Sequence, residues 1–334
     1  MKRKRILLIL LLILLLGGAA FYYFYYVKGI DKEVEPKKEE KELKIVDLNS
    51  KTRPYAVMID NHMDAMPHSG LQDAYLSYEI IVEGGLTRIM AIFKDKDTEL
   101  IGPVRSSRHY FLDYAMENDA IYGHYGWSPQ AKDDIETYDI NNLNGLYSEA
   151  FWRDDTRYAP HNAYTNIESL KSSAKEANYS LKGNKQLLLN YSVDEINLDK
   201  KEDALIANNV SIDYSYYHNT SYTYDSVNKV YKRFMNSLEH MDRETNKQYT
   251  VKNIIVIKVD NSSIDESGRQ TLNNIGTGEG YYITNGYAVP INWEKDSRER
   301  QTVYTYLDGK KIKVNDGNTY IQIQPTNQEL LITE

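Results

Sequence analysis

The sequence contains no cysteine among its 334 residues. That excludes disulfides, thiol nucleophiles, cysteine zinc sites and lipid attachment through a thioether. Stability must come from packed cores. Two motifs of hydrolytic chemistry are also missing: no GxSxG elbow and no HExxH run occur. GTGEG at 276–280 lacks the Lys-Ser/Thr that completes a phosphate-binding loop, and strand-like runs flank it. It reads as a loop leading into a strand from Tyr281 to Thr284. Basic residues are in deficit, 40 Lys and Arg against 48 Asp and Glu. The excess of acid disfavours nucleic acid as a partner.

What is present begins with the N-terminus. Lys2, Arg3, Lys4 and Arg5 precede an uncharged apolar and aromatic run from Ile6 to Val27. A run of this length suffices for a membrane-crossing helix, and the basic flank predicts that this end stays cytoplasmic. The aromatic string from Phe21 to Tyr26 suits the outer interface. Gly18-Ala19-Ala20 offers a competing cleavage site, but the apolar run continues past it, so an uncleaved anchor is expected. Residues 1–27 are thus the cytoplasmic tip and anchor. Residues 28–45, rich in Lys and Glu, read as a charged stalk. The bulk of the chain is expected outside the cell membrane.

Beyond the stalk, RPYAVMI (53–59), TRIMAIF (87–93) and NIIVIKV (253–259) read as buried strands. AYLSYEIIV (74–82) fits helix or strand. Helices are predicted at His109–Glu117 with Ser106 or Ser107 as cap, from Ser128-Pro129 toward Tyr138, and within 162–177. After residue 205 strand patterns dominate. Asn285-Gly286, Asp308-Gly309 and Asp316-Gly317 mark hairpin turns. The 30 tyrosines fit β-rich structure, or a surface that contacts glycan. The fold class is therefore α+β: an N-terminal mixed α/β sandwich domain over 46–190 and a C-terminal, mostly antiparallel β domain over 200–334, preceded by one transmembrane helix.

RPYAVMIDNH, VEGGLTRIMAIF, IGPVRSSRHYFLDYA and YGHYGWSPQA in the first half resemble the N-terminal domain of the DUF3048 (YerB) family. NIIVIKV, GTGEGYYITNGYAVPINWEK and DGNTYIQI in the second half resemble its C-terminal domain. The resemblance implies an extracytoplasmic location. Family members are often lipoproteins, and here a membrane helix replaces the lipid anchor. No reaction follows from the resemblance.

Candidate ligand-binding residues concentrate between 60 and 128. They are Asp60, Asn61, His62, Glu83, Arg88, Arg105, Ser106, Ser107, Arg108, His109, His124 and Ser128. Arg105 and Arg108 present planar forks matched to phosphate or carboxylate oxygens, beside a helix N-terminus. In the opposing reading the same arginines tie loops to Glu83 or Asp113. A metal site from Asp60, His62, His68 and His124 lacks helical spacing, so no metal and no cofactor are assigned. His240 and Asp242 read as an exposed loop pair. Two functions compete. The favoured one is an envelope binding protein, anchored through its helix, whose partner is cell-wall polymer or an envelope protein. The other is an envelope enzyme acting on a phosphate-bearing or anionic glycan. The order TRIMAIF then VRSSRHYF is similar in layout to that in LytR-CpsA-Psr phosphotransferases.

Overall fold

The computed structural model describes residues 2–28 and 42–334. Most of the stalk expected at 28–45 therefore lies outside the described residues. The first unit is helix α1, Lys2–Tyr22, continued by a π-helical turn, Tyr23–Val27. Lys2–Tyr26 is long and apolar enough to cross a membrane. At 1.5 Å per residue it spans about 37 Å.

Glu42–Glu334 forms a second compact unit. Its backbone is a mixed sheet to which both halves of the sequence contribute. From the first half come β1 (Tyr55–Asp60), β2 (Leu76–Ile81), β3 (Thr87–Phe93), β4 (Ile121–His124) and β5 (Asn142–Asn144). From the second half come the strands Asn253–Val259, Gly276–Thr284, Tyr287–Lys295, Val303–Tyr306 and Thr319–Pro325. The halves join where β2 pairs in parallel with Thr319–Pro325, Tyr78 opposite Ile321. The segment 74–82, ambiguous in sequence, is thus a strand at the centre of the sheet. A strand buried on both faces needs apolar residues at consecutive positions, and β1 meets that need. Ala56 and Met58 face one core and Val57 and Ile59 the other.

Helices α2 (His109–Glu117) and α3 (Pro129–Thr137) cover the first face through Phe111, Leu112, Ala131 and Ile135. The second face is covered by α4 (Ile167–Glu176) and an antiparallel sheet. That sheet includes Asn209–Ser215, His218–Asp225 and Val230–Met235, with Leu330–Thr333 beside Asn209–Ser215. The α+β class and the antiparallel character of the second half are as expected. Tyrosine supplies much of the core. Tyr78, Tyr110, Tyr122 and Tyr214 are wholly buried. Their hydroxyls donate to Glu117 Oε1, Ile81 O, Ser107 Oγ and Gln322 Oε1 at 2.6–2.9 Å. Burial is tolerable because each polar tip is satisfied.

Three local expectations need correction. GTGEG is not a loop, since Gly276–Thr284 is one strand. A Cβ on Gly280 would lie 2.1 Å from Val256 O, so glycine permits the close approach of the neighbouring strand. Asp316-Gly317 turns the chain but makes no hairpin. Lys313–Asn315 pairs with Asn190–Ser192, whereas Thr319–Pro325 enters the large sheet. His240 and Asp242 are buried, not exposed.

Candidate functional site

The site forms where β1 ends and β3 begins. In the antiparallel register Asp60 stands opposite Arg88. The segment Glu83-Gly84-Gly85 turns the chain into β3, with both glycines at φ near +70°. A Cβ at Gly85 would meet Ser215 Oγ at 2.6 Å; the Ser215 hydroxyl donates to Gly85 O. The loop 101–108 is laid across the end of β1 by backbone bonds. Asp60 N donates to Pro103 O at 2.9 Å, and Arg105 N to Met58 O at 2.9 Å. This crossing brings Arg105 and Arg108 to Asp60 and Glu83.

A cleft of about 370 Å³ results, lined by Asp60, His62, Glu83, Arg88, Arg105, Arg108, His161 and Arg269, among others. Arg108 grips Glu83 through two contacts, Nε to Oε1 at 2.5 Å and Nη2 to Oε2 at 2.9 Å. Burial alone would raise the Glu83 carboxyl, but Arg108 holds it below its usual range. Arg88 donates to Ser106 O at 2.5 Å. Burial, followed by the repulsion of Arg108, pushes Arg88 down to about 10. Arg105 Nε lies 3.2 Å from Asp60 Oδ2, and His161 Nδ1 lies 2.8 Å from the same oxygen. Arg269 enters from the second half, paired with Asp265 at 2.9 Å. Four guanidinium groups therefore meet three carboxylates, in a chain whose net charge is −8.

Behind the cleft lies a buried polar network. Arg233 Nη2 lies 2.8 Å from Glu79 Oε2, both fully buried. His218 Nε2 lies 3.0 Å from Glu79 Oε1, and Thr87 donates to that oxygen at 2.9 Å. Burial opposes the Glu79 charge, yet Arg233 and His218 hold its carboxyl well below the usual range. Arg233 also contacts His240 Nδ1, and His240 Nε2 lies 2.6 Å from His68 Nδ1. His68 Nε2 in turn lies 2.6 Å from Asp60 O. The guanidinium can only donate, so the sequence of donors fixes both rings as neutral, each carrying its proton on Nε2. The network thus ends on the peptide of a residue whose carboxylate faces the cleft.

Six of the sequence candidates line the cleft: Asp60, His62, Glu83, Arg88, Arg105 and Arg108. The others lie elsewhere. Asn61 is buried and donates to Glu79 at 3.0 Å and to Thr87 at 2.7 Å. Ser106 contributes its carbonyl to Arg88. Ser107 does not cap α2; its hydroxyl accepts from Tyr122, and the cap position is Arg108. His109, half-buried, lies near Asp134 and Arg298, and burial lowers its pKa. His124 is buried against Gly126 O and Asn142 Oδ1, and burial pushes it down to about 4. Ser128 is the N-cap of α3, accepting from Ala131 N at 3.2 Å. Sequence reasoning missed His161, Thr87 and Arg269. His161 lies 101 residues from Asp60, and no local signal links the two. A larger groove, about 1090 Å³, runs past Thr52, Lys94 and Tyr191. Its Lys94 is tied to Thr52 O at 2.6 Å, and none of the candidates reaches it.

Residues 42–180 match the family described as "Protein of unknown function (DUF3048) N-terminal domain". Residues 210–321 match its C-terminal counterpart. The chain is 34% identical over 278 residues to "Putative lipoprotein YerB" of Bacillus subtilis (strain 168), covering 82% of this chain and 81% of that protein. The crystal structure of YerB from Bacillus subtilis superposes with a TM-score of 0.75 at 31% identity. The match covers 87% of this chain and 99% of the crystallised one. With both family segments in order and a relative matched over most of its length, the chain belongs to the DUF3048 family.

Proposed function

We propose that this is an envelope binding protein, held in the cell membrane by α1 with its body outside, that takes an anionic group of a cell-wall polymer in the Arg105 cleft. The anchor reading is supported by the length and composition of Lys2–Tyr26, by the basic residues before it, and by the relative's description as a lipoprotein. This chain has a helix and no cysteine where a lipoprotein has its lipid.

The observation that carries the ligand reading is the convergence of Arg105 and Arg269 on one cleft from the two family segments. Their side chains keep 29% and 31% of their surface open. Arg88 and Arg108, by contrast, are largely sequestered by Ser106 and Glu83 and shape the wall. Guanidinium forks of this kind suit phosphate and carboxylate oxygens.

The test is co-sedimentation of the full chain, in mild detergent, with purified wall sacculi and with sacculi stripped of anionic polymer. Retention on intact wall, release from stripped wall, and loss of retention in the Arg105→Gln/Arg269→Gln variant are expected. Equal retention on both walls overturns the anionic-polymer reading in favour of a neutral wall ligand, and retention on neither overturns wall binding and leaves an envelope protein partner.

A further inference from the structure

We propose a second site at the rim of this cleft, a divalent transition-metal site formed by His62, Asp64 and His161. The three residues each offer a ligand atom, and these atoms lie within 4.8 Å of one another. The arrangement rests on three independent features of the geometry.

The first is the state of His161. Its Nδ1 lies 2.8 Å from Asp60 Oδ2, a carboxylate only 6% exposed. A carboxylate accepts, so Nδ1 carries the proton and Nε2 presents a bare lone pair. A carboxylate behind a histidine is the usual support of a metal-binding imidazole, because it fixes the tautomer and raises basicity.

The second is the facing of two acceptors. His62 Nδ1 accepts the Asp64 backbone N–H at 3.1 Å, so that nitrogen is unprotonated, and a metal at Nδ1 would take over the lone pair this bond now uses. Asp64 Oδ2 lies 3.5 Å from it. A cation bound by both atoms would replace the Asp64 N–H at Nδ1 and pair with the carboxylate. Ligand bonds of about 2.0–2.2 Å in a tetrahedral shell set neighbouring donor atoms about 3.3 Å apart, close to the separation present.

The third is rigidity. The turn Met63–Ala65 carries Asp64. Arg157 holds the segment by donating to Asp64 O at 3.2 Å, Met66 O at 2.9 Å and Pro67 O at 3.0 Å. Four of the seven histidines, His68, His124, His218 and His240, are buried. The site therefore draws on a different set from the one weighed and set aside in the sequence, with Asp64 and His161 in place of Asp60, His68 and His124.

Two imidazoles and one carboxylate suit zinc or a neighbouring first-row ion, with a position left open. Arg105 lines the same cleft as His62 and His161, so a phosphate or carboxylate held there could supply an oxygen to complete the shell. Only this last step rests on the anion reading; the metal site does not.

The experiment is calorimetric titration of the tag-free full chain in detergent micelles with zinc chloride, in buffer free of phosphate. One equivalent is expected to bind. Asp60→Asn weakens binding about 10- to 100-fold, the usual effect of losing such a support. Asp64→Asn weakens it at least about 10-fold; Asp64 is 74% exposed, so this change leaves the fold intact. Cobalt(II) in place of zinc gives visible absorption bands that His161→Ala removes. Absence of zinc binding overturns the proposal, as does binding that is equally tight in the His62→Ala/His161→Ala variant. Because no anion is present, neither result depends on whether wall polymer is the ligand.

Discussion

His240 Nε2 stands 2.6 Å from His68 Nδ1, with both rings wholly buried. Neither ring can take a second proton without placing a charge beside Arg233 in the core. Burial pushes His68 down to about 4. Burial, then Arg233, pushes His240 further below its ordinary value.

A dependence of stability on pH follows. Unfolded histidines protonate near about pH 6.5, whereas these stay neutral in the fold. Between the two values the unfolded chain holds more protons, so acidification favours unfolding. Stability is full above about 6.5 and falls as pH drops toward about 4. Denaturant unfolding at about pH 5 is expected to show a loss of about 2 kcal/mol for His68 relative to about pH 7, with more from His240 and His124. Equal stability at the two values would refute neutral burial.

The ion pair between Glu79 and Arg233 makes a separate prediction. Arg233→Met leaves a wholly buried carboxylate facing only His218 and hydroxyl or amide donors. Loss of one partner of such a pair costs about 3–5 kcal/mol. Urea unfolding measures it, and a change under about 1 kcal/mol would mean that solvent reaches Glu79.

Gly280→Ala tests the strand assignment of GTGEG. The added Cβ meets the Val256 carbonyl at 2.1 Å, and backbone cannot step aside. A loss of about 1–3 kcal/mol in unfolding free energy is expected. A neutral result would place 276–280 outside the sheet.

The anchor is tested by fractionation. The full chain is expected in the membrane fraction at its uncleaved mass. Deletion of residues 2–27 moves it to the soluble fraction. An N-terminus found near Ala20 in the mature protein would instead show cleavage.

The sequence was most legible where burial acts on both faces of a strand. β1, β3 and Asn253–Val259 read directly as nearly continuous apolar runs, because almost every position on them is shielded from water. Helix α2 was legible in its bounds but not in its cap, since Ser107 spends its hydroxyl on Tyr122. Glycines 276, 278 and 280 suggested a loop because glycine is a poor strand former, and close approach of a neighbouring backbone leaves no local trace. The arginine side of the cleft was visible through the density of charge in one loop. Its other side was not. His161 and Arg269 arrive from distant segments, and nothing nearby distinguishes them from surface residues. Glu79 and Arg233 were missed for a related reason. A single charged residue in a strand normally marks the wet face, and only the fold shows that the two charges meet.

The parallel pairing of β2 with Thr319–Pro325 has a consequence for how the protein is made. The strand that joins the two halves is synthesised long after its partner. Residues 76–80 must wait for residues 319–323, so the body cannot close progressively from its N-terminal end. Such long-range pairing slows folding. A nascent chain cut short before Thr319 would leave both halves with open sheet edges, vulnerable to proteolysis and aggregation. Synthesis of Thr319–Pro325 is thus a checkpoint written into the topology: the molecule acquires its full sheet only once that strand exists.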